Sequence, residues 1–207
     1  MRCQVCFTYE NIIDYSHVWT NSKFKEYTYG MPIKRTVQIG EMAIRKKSIT
    51  VKDFSSREVR QIIRDLTDSM RHTNLVGMAA PQIGKNLKIF VSEIRQTTYR
   101  KNISKSDSLK IFINPRIIWR SKKQIAGYEG CGSVVSAGIF GLVKRPQSVI
   151  CEALNEHGKP FTIKASGLLA RIIQHEIDHL NGIVFIDRVN DTKTLASRES
   201  YIDSRKK

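Results

Sequence analysis

The sequence predicts an α+β fold: mostly antiparallel strands packed around a central helix that carries a metal-ligand pattern, with one further helix in the N-terminal half. Three observations predict it. Two stretches repeat apolar residues at helical spacing behind a serine. Several short apolar runs are separated by turn residues instead of helices, which favours antiparallel pairing. No internal repeat and no Pro- or Gly-rich linker divides the chain.

Residues 1–35 are polar and aromatic without a clear period, and read as an N-terminal extension. Ser55-x-x-Glu58 reads as a capping box. Behind it Val59, Ile62, Ile63, Leu66 and Met70 form an apolar stripe, so 56–71 is expected to be an amphipathic helix. Residues 87–92 and 109–114 read as strands, with Asn114-Pro115 ending the second. Residues 147–154 and 160–165 flank Asn155–Lys159 in a hairpin pattern. Ser166 then opens a helix that runs to Gly182, placed as a C-terminal cap. Residues 190–207 have little apolar periodicity and read as a polar, basic tail.

Hydrophobic residues make up 41% and charged residues 26% of the 207, which excludes a disordered or fibrous chain. No apolar run is long enough for a membrane span, and the N-terminus lacks the apolar core of an export signal. The expected location is the cytoplasm, in a bacterial cytosol or an organelle. Cys3, Cys6, Cys131 and Cys151 are then thiols in a reducing compartment, not a disulfide framework. Cys3-x-x-Cys6 lacks the second ligand pair of a zinc site, since only His17 is near. The net charge is +16, and Lys85–Lys123 holds 11 Lys or Arg against Glu93 and Asp107. Such a field favours polyanions, and ribosomal RNA is the expected contact.

The sharpest chemical signal is His175-Glu176-Ile177-Asp178-His179. Histidines at i and i+4 share one helix face and can reach one metal at about 2.0–2.1 Å. Glu176 is offset around the helix, as suits the general base of a metal-assisted hydrolysis. A third ligand is needed. Phe185 stands where a metzincin would have a histidine. Glu199, with Asp203 beyond it, would serve a thermolysin-like metalloprotease. Cys131 lies far upstream among glycines, in Gly130-Cys131-Gly132-Ser133. A second unusual stretch, Val76–Gly84, is rich in small residues and contains Pro81. Gln82 within it offers a neutral amide donor useful to an oxyanion.

These segments resemble the motifs of the peptide deformylase family, approximately G-x-G-x-A-A-P-Q, E-G-C-x-S and H-E-x-x-H. They stand here, in that order, as Leu75–Gln82, Glu129–Ser133 and His175–His179. The resemblance spans about Thr36 to Val189, which marks 36–189 as the catalytic domain. It implies removal of the N-formyl group from formyl-methionyl nascent peptides. It also implies a divalent metal, Fe2+ with Zn2+, Ni2+ or Co2+ as alternatives, held by Cys131, His175 and His179. Glu176 is then the base, with the Gln82 amide and the Gly132 N–H as oxyanion donors. Glu129 and Arg145 would form a supporting ion pair. Val76, Gly77, Leu168 and Ile172 are candidates for the methionine slot, and the peptide can add as a strand beside Gly77 or Gly132.

Two residues depart from the motifs. Leu75 stands where the family has Gly, which is expected to narrow the cleft. Gly132 stands where the family has Leu, which is expected to loosen the loop and weaken substrate ordering. On that reading Gly132→Leu raises kcat/KM. The same departures keep a second alternative open: a catalytically weak relative acting as a ribosome-associated interaction protein.

Overall fold

The computed structural model describes residues 33–97 and 106–205, so Cys3, Cys6 and nearly all of the 1–35 extension lie outside the described residues. The elements, in chain order, are α1 (Met42–Arg45), α2 (Arg57–His72), β1 (Gly77–Ala79), β2 (Ile89–Ile94), β3 (Asp107–Arg120), β4 (Gln124–Gly130), β5 (Ile139–Pro146), β6 (Ser148–Leu154), β7 (Pro160–Ser166), α3 (Gly167–Leu180), β8 (Ala196–Ser197) and α4 (Arg198–Ser204). They build two antiparallel sheets, one ordered β1-β2-β3-β6-β7 and one ordered β4-β5-β8. The α+β expectation holds. No helix among the described residues is long and apolar enough to cross a membrane.

The β1–β2 side of the larger sheet is buried on both faces, which explains why β2 reads as a continuous apolar run. Ile89 and Val91 of β2 pack with Ile62, Leu66 and Met70 of α2. Phe90 between them faces the other way, with Phe112 and with Ala170 and Ile173 of α3. The strand period of two thus sends alternate side chains to two helices. A third cluster joins Val37 and Ile44 to Cys131, Val134 and Val143.

Several expectations shift in detail. The α2 cap is Ser56, whose hydroxyl accepts from Val59 N–H, while Ser55 turns to Asp53. Asn114-Pro115 does not end β3. Asn114 takes a positive φ of 52°, the register shifts between Ile113 and Arg116, and the strand resumes to Arg120. Such a bulge admits a proline, which lacks the N–H that a regular ladder uses. Asn114 also ties the neighbouring loop down through Val51 N–H and C=O, both at 2.9 Å.

The central helix ends as expected. Gly182 N–H reaches His179 O and Ile183 N–H reaches Asp178 O, with Gly182 at φ 75°, a Schellman arrangement. A side chain at 182 would also meet Arg45 O at 2.2 Å, so α1 packs against bare backbone there.

The stretch 190–207 is more than a tail. β8 pairs with β5, and Tyr201 of α4 stacks on Phe140 with ring centroids 4.4 Å apart. Backbone pairing, Arg198 and one aromatic ring supply the docking contacts, none of which registers as apolar periodicity.

Candidate metal centre and catalytic cleft

β4 ends at Gly130 and runs straight into Cys131, while α3 presents His175 and His179 one turn apart. Cys131 Sγ and one ring nitrogen from each histidine lie within 4.8 Å of one another. Cys131 Sγ is 3.1 Å from His179 Nε2. Among the described residues no other trio of His, Cys, Asp or Glu gathers in this way. Glu199 is exposed on α4 and, with Asp203, lies outside the group, so the thermolysin-like arrangement is not the one formed.

Behind the donors is a buried ionic network. Glu129 receives Arg145 Nε and Nη2 at 2.7 and 2.8 Å and Arg171 Nη1 at 2.6 Å. Its Oε2 is also 2.9 Å from His175 Nδ1, a partner that orients the ring and turns Nε2 toward Cys131. Asp178, on α3 between the histidines, accepts from Arg145 at 2.8 Å and Arg188 at 2.7 Å. Burial opposes the charge of Glu129, but hydrogen bonds from Arg145 and His175 outweigh it and hold the carboxyl well below the usual range. Burial, helped by the charges of His175 and Arg145, pushes His179 well below its ordinary value, so its ring is held neutral, the form in which an imidazole could bind a metal.

Glu176 is 3% exposed, and its Oε2 has no partner among the described residues. Burial pushes its pKa up to about 7, against the opposing charge of His175. Its carboxyl packs directly on Gly77, where a Cβ would lie 2.5 Å from Glu176 Oε1 and 2.9 Å from Ile172 Cγ2. Gly77 is therefore bare because the carboxyl occupies that space.

Gln82 sits in a 3-10 turn, Ala80–Ile83, closed by Gly84 at φ 77°. Its Oε1 accepts from Ala79 N–H at 2.8 Å. That commits the oxygen and aims Nε2 at Cys131 Sγ, 3.5 Å, and Ser133 Oγ, 3.4 Å. The Gly132 carbonyl accepts from Gln38 Nε2 at 2.8 Å, and the Cys131 carbonyl from Val134 N–H at 3.0 Å. The loop around Gly132 is thus held by neighbours, where the sequence alone suggests a freer one.

The slot candidates separate. Gly77 and Ile172 flank Glu176. Leu168, one helical turn earlier, lines a cavity of about 110 Å³ with Ile125, Pro146 and Arg171. Val76 is half-buried, its carbonyl accepting from Glu93 N–H. Sequence reasoning missed Arg171, Asp178, Arg188 and Gln38 as parts of this site. Asp178 carried a signal, since it shares the helix turn between the histidines. The two arginines and Gln38 carried none.

Residues 33–195 match the model of the family described as Polypeptide deformylase. The chain belongs to the peptide deformylase family. A peptide deformylase of Thermomicrobium roseum is 41% identical over 165 residues, covering 80% of this chain and 90% of that one. Peptide deformylase 2 of Clostridium perfringens is 38% identical over 168 residues, 81% of this chain and all of that one. Among solved structures, a Met-Ala-Ser-bound class I type b peptide deformylase from Acinetobacter baumannii superposes with a TM-score of 0.71 at 28% identity, covering 76% of this chain and 99% of that one. A Synechococcus elongatus peptide deformylase in complex with actinonin gives 0.69 at 32% identity, covering 80% and 85%. This chain is accordingly a metal-dependent hydrolase that removes the formyl group from N-terminal methionine. Neither the protease nor the purely binding alternative is favoured.

Proposed function

We propose that Cys131, His175 and His179 hold one divalent ion and that Glu176, Gln82 and Gly132 carry out deformylation beside it. The observation that carries this is the trio of donors within 4.8 Å next to a buried carboxyl with an unpartnered oxygen. A thiolate and two imidazoles suit a divalent transition ion. Bound there, the ion would bring the pKa of a water toward about 7. Fe2+ is the ion proposed, with Zn2+, Ni2+ or Co2+ as occupants of the same donor set.

Glu176 takes a proton from the attacking water and returns it to the leaving amine, a cycle suited to a carboxyl near neutrality. The formyl oxygen gains charge as its carbon becomes tetrahedral. Gln82 Nε2, its own oxygen committed to Ala79, donates to that oxygen, and the Gly132 N–H is the second donor. Val76, Gly77, Leu168 and Ile172 receive the methionine. β1 is the edge of its sheet, so the nascent chain can add beside Gly77 as a further strand.

The substrates proposed are formyl-methionyl nascent peptides, met at the ribosome in the cytoplasm. The basic Lys85–Lys123 region is the proposed rRNA contact. Part of it, 98–105, lies outside the described residues, and Arg116 is paired with Glu152 at 2.8 Å. Salt-insensitive behaviour, or none at all, in a ribosome-pelleting assay removes that contact. The decisive test is formate release from formyl-Met-Ala-Ser by iron-loaded protein, with metal content measured in Cys131→Ala and Glu199→Ala. Only the cysteine variant should lose the ion and the activity. Metal retained by Cys131→Ala, or lost by Glu199→Ala, refutes the assignment.

A further inference from the structure

The two departures from the family motifs touch one another. A Cβ built on Gly132 would lie 3.1 Å from Leu75 Cδ1 and 3.5 Å from Thr36 Cγ2. Leu75 is half-buried, rooted in the α2 core cluster beside Met70 and Met78. Its tip therefore lies over the residue that follows Cys131, in the volume where a side chain at 132 would begin. Neither residue reads sensibly by itself. Taken singly, Leu75 narrows a cleft and Gly132 opens it, yet together they keep one apolar side chain at one place.

We propose that Leu75 is the specificity-determining wall of the cleft beside Gly132, supplying from the β1 side the apolar surface that a side chain at 132 would otherwise supply. A wall formed this way borders the formyl-methionyl end of the substrate, because residue 132 adjoins Cys131 and Gly77 lies two residues beyond Leu75 against Glu176. The proposal rests on the reading of the Cys131–Ser133 loop as one side of the cleft. It also reverses the expectation from sequence that Gly132→Leu raises kcat/KM. With Leu75 in place, the Cβ of a leucine at 132 already starts in tight contact with the Leu75 tip, and its further carbons compete for the same space.

A double-mutant cycle tests the coupling. Formate release from formyl-Met-Ala-Ser is measured for the unaltered protein, Leu75→Gly, Gly132→Leu and Leu75→Gly/Gly132→Leu, each with its metal content and thermal midpoint. Leu75→Gly should raise KM about tenfold while kcat changes less than threefold, as lost uniform binding does. Gly132→Leu alone should lower kcat/KM at least tenfold. The double variant should return to within about threefold of the unaltered protein, although it carries both lesions. Multiplication of the two single effects in the double variant overturns the proposal. So does an unchanged KM in Leu75→Gly, or improved activity in Gly132→Leu alone. Absence of formate release by the unaltered metal-loaded protein would instead refute the underlying assignment of the site, so the two failures are distinct.

Discussion

Replacing Gly77 by alanine probes the packing at the centre of the site. The added Cβ would stand 2.5 Å from Glu176 Oε1, 3.1 Å from Glu176 Cδ and 2.9 Å from Ile172 Cγ2, so the Glu176 carboxyl and the Ile172 methyl must both give way. Ordinary non-bonded contacts involving carbon lie near 3.5 Å, so the carboxyl must retreat by about 1 Å. Gly77 is not among the residues at positive φ, so alanine fits its backbone and the strand survives. Nor does the change remove any backbone hydrogen-bonding group from β1. The carboxylate is the far end of a side chain, so stability falls only modestly, by about 1–3 kcal/mol of overpacking. Catalysis loses more. A displacement of about 1 Å at a reacting group costs on the order of 10²-fold, or about 2.7 kcal/mol of barrier. The assay is steady-state formate release with metal content matched to the unaltered protein. The expected result is kcat down about 100-fold with KM within a few-fold. A kcat within threefold of the unaltered value, at equal metal content, refutes the claim that Gly77 is bare in order to seat Glu176.

Two further outcomes follow from the network and the loop. Glu129→Gln takes one of the two buried carboxylates from Arg145, leaving Asp178, and should cost about 1–3 kcal/mol in denaturant unfolding and about 10–100-fold in metal affinity. The folded pKa of Glu129 is depressed, so its stabilisation is present above the unfolded value of about 4.3 and lost as pH falls through the folded value. Acid unfolding of the unaltered protein should therefore steepen below about pH 4.5, and the Gln variant should lack that component. Arg198→Ala removes donors from the Ser136 and Ala137 carbonyls, 2.6 and 2.9 Å away, in a run where Val135, Ser136 and Ala137 all take positive φ. Left-handed non-glycine residues cost roughly 1–2 kcal/mol each. Hydrogen exchange across 134–138 should accelerate at least tenfold in that variant, and unchanged protection would show that the turn needs no brace.

Much of the site was readable because its spacing is local. His175 and His179 share a helix face by the 3.6-residue period alone, and Gly182 announces where that helix stops. The capping serine of α2 is one residue later than the sequence suggests, since the Ser55 hydroxyl donates to the Asp53 carboxylate and leaves Ser56 to accept from Val59 N–H. β4 and β5 escaped notice because Gly127, Gly130 and Gly141 weaken any strand signal. Their reason is tertiary: side chains added there would strike Arg171, Phe140 and Leu195, at 2.9, 2.6 and 2.9 Å respectively. The C-terminal segment reads as a tail for a related reason, as it docks through backbone pairing, Arg198 and Tyr201 and not through an apolar stripe.

What the amino-acid order decided unaided is the α+β class, the placing of His175, Glu176 and His179 on one helix, and the identity of the motifs, all set by short-range periodicity and residue chemistry. What only the folded chain decided is how distant segments share volume. Cys131 meets α3 because β4 ends there, Glu129 gathers two arginines and a histidine from β5 and α3, and Leu75 reaches Gly132. Those contacts depend on packing between residues far apart in sequence, where each side chain's size has meaning only relative to the neighbour that fills or vacates the same space.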